Sequence, residues 1–119
     1  MAYFVTQVFT PKDKWLKLNR LLKEQVLQRM IINLSGLAGE NRVQLIAMGE
    51  IDENMPRAVA EKYFINWSIP GDEATKALIS HLRDSEWNEY FEVVNIGGKG
   101  LTVPEYASTI TRVLNEEER

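Results

Sequence analysis

The chain has 119 residues, 45% hydrophobic and 26% charged, the balance of a single globular domain. Its 14 Lys+Arg against 17 Asp+Glu leave a net charge of −3, which argues against nucleic acid as a partner because phosphate backbones are held by clustered cations. It has no cysteine and one histidine, His81; disulfides, thiolate chemistry, cysteine-ligated metals and any site needing two imidazoles are excluded, and no metal or cofactor is expected.

A first strand is predicted over 2–10, AYFVTQVFT, which is β-branched and aromatic. Tyr3, Val5 and Phe9 fall on one face, Phe4 and Val8 on the other, so both faces call for cover. This opening lacks the basic start and cleavage site of a signal peptide, and no apolar run reaches the ~20 residues of a membrane span. No membrane is expected as a partner, and the cytoplasm is the expected location.

Thr10-Pro11 should open a helix, with a capping hydroxyl and a proline at the first position. Trp15, Leu18, Leu22, Val26 and Met30 then follow helical spacing, with a possible break at Leu18-Asn19 and a stop at Ser35-Gly36. Strands are predicted over 43–52 and 60–69, joined by a polar loop around Glu53–Arg57. The acidic residues Glu50, Asp52 and Glu53 read as a solvated loop rather than a cation site.

Pro70-Gly71-Asp72 begins a second helix carrying Ala74, Leu78 and Leu82, with a restart at Asp84-Ser85. A short strand over 92–96 precedes Gly97-Gly98-Lys99-Gly100, which lacks the phosphate-loop pattern and reads as a mobile turn that could serve as a flap over a pocket mouth. Thr102-x-x-Glu105 has the spacing of a capping box. It leads a C-terminal helix of about 102–116 whose apolar stripe is Val103, Tyr106, Ile110, Val113 and Leu114, with a frayed acidic end.

The order strand, helix, strand, strand, helix, strand is that of the α+β ferredoxin-like βαββαβ fold, a four-stranded antiparallel sheet with helices on one face. One domain over 1–119 results, with its core in 1–98 and the added C-terminal helix. Because the strands are apolar on both faces, the uncovered face calls for a second copy packed sheet against sheet, a homodimer. The C-terminal helix can bury its stripe on its own subunit or across that dimer.

Tyr63-x-x-x-Trp67, Ala77-x-x-x-His81-Leu82 and Ser85-x-Trp87-x-x-Tyr90-Phe91 resemble the dimeric α/β-barrel superfamily of antibiotic-biosynthesis monooxygenase-like domains. Pro11-Lys12-x-Lys14-Trp15-Leu16 and Trp87-x-x-Tyr90-Phe91-x-x-Val94-Asn95 are similar to an uncharacterised bacterial branch of it. The resemblance implies a dimeric α/β barrel with a ligand cavity between sheet and helices, lined by the tryptophan of the third strand. Cofactor-free monooxygenases, haem-degrading enzymes, cyclases and isomerases all occur in that superfamily. The haem-ligating histidine of its haem-degrading members would fall near Trp87–Phe91, where this chain has none.

Odd-numbered strand positions would place Tyr3, Gln7, Tyr63, Trp67 and Asn95 on one face. A small apolar or aromatic ligand could rest on Trp67 and Tyr63, with Gln7 and Asn95 holding an oxygen; ordinary core packing is the competing reading. Ligand-binding candidates are therefore Tyr3, Gln7, Trp67, Trp87 and Asn95. His81, whose ordinary pKa suits proton transfer near neutrality, and Tyr63 are the catalytic candidates. His81 also sits at the edge of its helix's buried stripe, where packing on Trp87 competes with that role. The chain is expected to be a small-molecule-binding protein, either a cofactor-independent monooxygenase, cyclase or isomerase acting on an aromatic or polyketide-like compound, or a non-catalytic interaction dimer or ligand carrier.

Overall fold

The structure is a computed structural model that describes residues 2–117. Its elements are β1 (Tyr3–Pro11), α1 (Asp13–Leu16), α2 (Arg20–Asn41), β2 (Gln44–Glu50), β3 (Tyr63–Ile69), α3 (Asp72–Asp84), α4 (Trp87–Tyr90), β4 (Phe91–Lys99) and α5 (Val103–Glu117). The strands form one antiparallel sheet in the order β2-β3-β1-β4. This is the expected α+β ferredoxin-like fold. No helix among the described residues is long and apolar enough to cross a membrane.

Register sets the two faces. Val5 stands opposite Trp67 and Gly97, and Gln7 opposite Ile65 and Asn95, so the odd residues of β1, β3 and β4 point the same way. That face meets the helices: Val5, Val43, Trp67 and Ile69 bury against Ala74 and Leu78 of α3. Leu34, Leu37 and Ala38 of α2 close over them. The opposite face is bare. Phe4 is 43% and Ile96 65% exposed there, and Val94 is exposed beside them.

Several boundaries differ from those read off the sequence. Thr10 and Pro11 remain in β1, where Pro11 pairs with Phe91. Helix α1 starts at Asp13 after Lys12, without a side-chain cap. The break at Leu18-Asn19 is present, because the Asn19 side chain accepts a hydrogen bond from Leu22 N at 2.9 Å and caps α2. Ser35-Gly36 does not stop α2; the helix runs on to Asn41 and ends at Arg42 in the left-handed region, φ 56°. Burial of Leu37 and Ala38 on the core outweighs the local stop signal.

Gly97-Gly98-Lys99 is not a mobile turn but the end of β4, paired with Val5, Phe4 and Tyr3. A Cβ at Gly97 would lie 3.2 Å from the Phe4 carbonyl oxygen, and one at Gly100 would lie 2.6 Å from the Phe4 ring. These glycines permit close approach rather than a hinge. In β2 a bulge between Leu45 and Ala47 shifts the register. Met48 and Glu50 thus join the helix-covered face, opposite Ile65 and Tyr63, instead of continuing the alternation that begins at Leu45.

The capping box is reciprocal: Thr102 N donates to Glu105 Oε1 at 3.0 Å and Glu105 N to Thr102 Oγ1 at 3.3 Å. In the helix it starts, the described part of the stripe is not buried on its own subunit, since Val103 is 83% and Tyr106 59% exposed. The side chains of Val113 and Leu114, and the terminal Glu118-Arg119, lie outside the described residues.

Candidate functional site

Helix α2 touches the sheet unevenly. Its C-terminal half carries Leu34, Leu37 and Ala38 onto the core. Its middle, with Leu27, Met30 and Ile31, spans open space instead. Between that stretch, the sheet and α3 lies a cavity of about 1360 Å³, ample for a ligand of drug size. Gln7, Ile65, Trp67 and Met48 form its floor. Trp67 belongs to the core cluster as well, so it marks where close packing gives way to void.

One end of the cavity is closed by rings. Trp87 stacks on Phe91 with centroids 4.1 Å apart, and Phe9 meets both edge-on at 5.3 and 5.5 Å. Trp15 adds to this group at 4.9 Å from Phe91, and Tyr63 at 5.6 Å from Phe9. Such tilted and offset contacts are the favoured geometry for aromatic quadrupoles. Polar bonds fix the short helices that carry the rings: Lys12 Nζ donates to Asn88 O at 2.8 Å, and Asn88 Nδ2 to Leu82 O at 2.7 Å. Beside the cavity, Arg29 of α2 forms an ion pair with Glu86 at the head of α4. The Glu86 carboxylate raises the Arg29 guanidinium pKa further above its ordinary value.

Five of the seven residues singled out from the sequence meet here: Gln7, Tyr63, Trp67, His81 and Trp87 all line the cavity. Gln7 is 8% and Trp67 3% exposed, and Trp67 Nε1 donates to Gln7 Oε1 at 3.0 Å. His81 is half-buried, and burial pushes its pKa below 6.5, keeping the imidazole neutral near pH 7. It packs at the edge of α3, and no hydrogen bond to its imidazole occurs among the described residues.

Tyr3 and Asn95 are not part of this cavity. They line a smaller hollow of about 420 Å³ between α3 and the β1–β4 strands, together with Arg83 and Asn88. Although Asn95 is directly opposite Gln7, Leu82 and Asn88 border both spaces and separate them. Sequence reasoning missed Phe9 and Trp15 as lining residues, although Phe9 shares the parity of Gln7. It also missed Met48 and Glu50, which only the bulge brings to this face.

A family model described as a family of unknown function (DUF6616) matches residues 1–113. No curated protein matches the chain. Among solved structures, a candidate chlorite dismutase is similar at 12% identity with a TM-score of 0.60, over 86% of this chain and 45% of that one. This chain thus spans under half the length of that protein. A dabb family protein with a ferredoxin-like fold from Mesorhizobium loti is 13% identical with a TM-score of 0.46, over 85% of this chain and 98% of that one. A hypothetical Arabidopsis thaliana protein is 14% identical with a TM-score of 0.47, over 85% of this chain and 89% of that one. At such identities the likeness to the first of these shows the fold alone.

Proposed function

The chain belongs to DUF6616, and for this member we propose a homodimeric protein that binds a small, largely apolar, aromatic molecule in the cavity under α2. One observation carries the reading: a large cavity walled by rings and aliphatic side chains, with a few polar groups converging on it, is the make-up of a small-molecule site. The dimer rests on the bare sheet face, where exposed Phe4, Val94 and Ile96 call for an apolar partner surface.

In the catalytic form of this reading the bound compound is a phenolic or polyketide-like molecule that is oxygenated by dioxygen as co-substrate, cyclised or isomerised. The resemblance to monooxygenase-like dimeric α/β barrels supports chemistry without a cofactor. The chain's own part is to remove a proton. The neutral imidazole of His81 is in the form a base requires, and Tyr63, which lines the same cavity, is the other catalytic candidate. Haem does not fit where the resemblance would put its ligand. Residues 87–91 supply no imidazole, and Trp87 and Phe91 are spent on each other and on Phe9.

A ligand carrier without turnover is the second reading. It is favoured by the absence, among the described residues, of any hydrogen bond orienting His81 or Tyr63, since working bases usually have a partner that positions them. Native mass spectrometry with a panel of two- and three-ring aromatics tests the proposal. The expected species has twice the 13.7 kDa chain mass and gains one ligand per chain, a gain lost in folded Trp67→Ala. A monomer overturns the dimer, and failure of every aromatic to bind overturns the ligand reading. Turnover of a bound phenol that stops in His81→Gln separates enzyme from carrier.

A further inference from the structure

Gln7 and Trp67 form a hydrogen bond with only one possible direction. An indole N–H donates and never accepts, so at 3.0 Å it requires the amide oxygen of Gln7 to face it. Rotating the amide by half a turn would set NH2 against N–H, donor against donor. Nε2 is therefore held on the far side of the amide with both hydrogens directed away from Trp67. No hydrogen bond to Nε2 occurs among the described residues. Nor is it sealed into the protein: the buried side-chain polar atom left unpaired among those residues is Glu61 Oε2. Gln7 lines the cavity, and Nε2 opens onto it from a side chain more than nine-tenths buried.

The neighbouring floor offers nothing to satisfy those donors. Ile65 and Asn95 are the cross-strand neighbours of Gln7. Ile65 is apolar, and Asn95 turns to the other hollow. A donor pair fixed in an apolar cavity discriminates strongly, because a ligand that cannot meet it leaves desolvated N–H groups unpaired.

We infer that Gln7 determines specificity in this site, selecting ligands that carry a hydrogen-bond acceptor (a ketone, quinone or phenolate oxygen) over the same skeleton without one. Trp67 is the positioning residue: it locks the amide and so fixes the sign of the group the ligand must present. This inference rests on the binding reading above and deepens it from an aromatic molecule to an aromatic oxygen acceptor.

The matched pair 1-tetralone and tetralin, which differ in one carbonyl, tests it by calorimetry or tryptophan fluorescence. Wild-type protein is expected to bind the ketone ~10-fold more tightly or better, the scale of one unmet buried hydrogen bond. In Gln7→Met, similar in shape but without donors, the preference falls to about one. In Trp67→Phe the freed amide gives an intermediate preference. A purely structural role for Gln7 would weaken both ligands alike and leave their ratio unchanged, which overturns the inference. If Gln7→Met does not fold, the wild type decides through the Gln7 side-chain amide in ¹⁵N–¹H spectra. Those protons are expected to move downfield with tetralone and not with tetralin, and identical shifts overturn the inference. Equal affinities in the wild type overturn it while leaving the binding reading intact; no binding of either probe also overturns it, and the binding reading then stands or falls with the full panel of aromatics.

Discussion

His81 is the chain's one histidine, so its imidazole signals can be followed without ambiguity. Burial lowers its pKa below the ordinary 6.5. Between the lowered value and 6.5 the unfolded chain binds more protons than the folded one, so stability rises with pH across that window. The contribution is complete above pH 6.5 and is lost as the pH falls through the folded value. NMR titration of the ring protons is expected to give a midpoint below 6.5; a midpoint at or above it would mean that His81 is solvated or paired. Single residues were legible where strand parity alone decides their face. Gln7, Tyr63 and Trp67 share odd numbers and one surface. Met48 and Glu50 were not legible, because one bulged residue in β2 reverses the parity after Leu45.

At the scale of elements, local signals held where nothing larger opposed them. The break at Leu18-Asn19, where the structure adds an Asn19 cap, and the Thr102–Glu105 box lie in exposed backbone, where side-chain hydrogen bonds settle the helix start. Asn19→Ala is expected to cost ~1 kcal/mol in urea unfolding without changing the sheet; no loss would mean that the turn between α1 and α2 holds by packing alone. Where burial was at stake, local signals lost. Ser35-Gly36 is a plausible stop, yet the next turn places Leu37 and Ala38 over Val43 and Trp67, and the helix continues. The glycines at 97 and 98 looked like a turn because a sequence cannot show that Phe4 and Val5 lie directly across from them.

Among the described residues, apolar surface without cover includes the bare sheet face and Val103, Tyr106 and Ile110 of α5. If the proposed dimer closes the first, charges placed there should divide it. Val94→Lys with Ile96→Lys is expected to shift sedimentation from twice 13.7 kDa to the single-chain mass, with α3 and the cavity unchanged by spectroscopy. A variant pair that stays dimeric would place the interface elsewhere, with α5 the next surface to test.

The order of strands and helices, the ferredoxin-like arrangement and the shared face of Gln7, Tyr63 and Trp67 follow from the sequence by itself. Period and capping are local properties, and few chain topologies satisfy that order. Only the tertiary structure decided where space remains. The middle of α2 bridges the sheet instead of filling it, Leu82 and Asn88 divide one sheet face into two hollows, and the Trp67 indole settles which way the Gln7 amide points. A cavity is the volume that packing leaves over, set by the joint position of side chains far apart in the chain, and no residue carries it in its own neighbourhood.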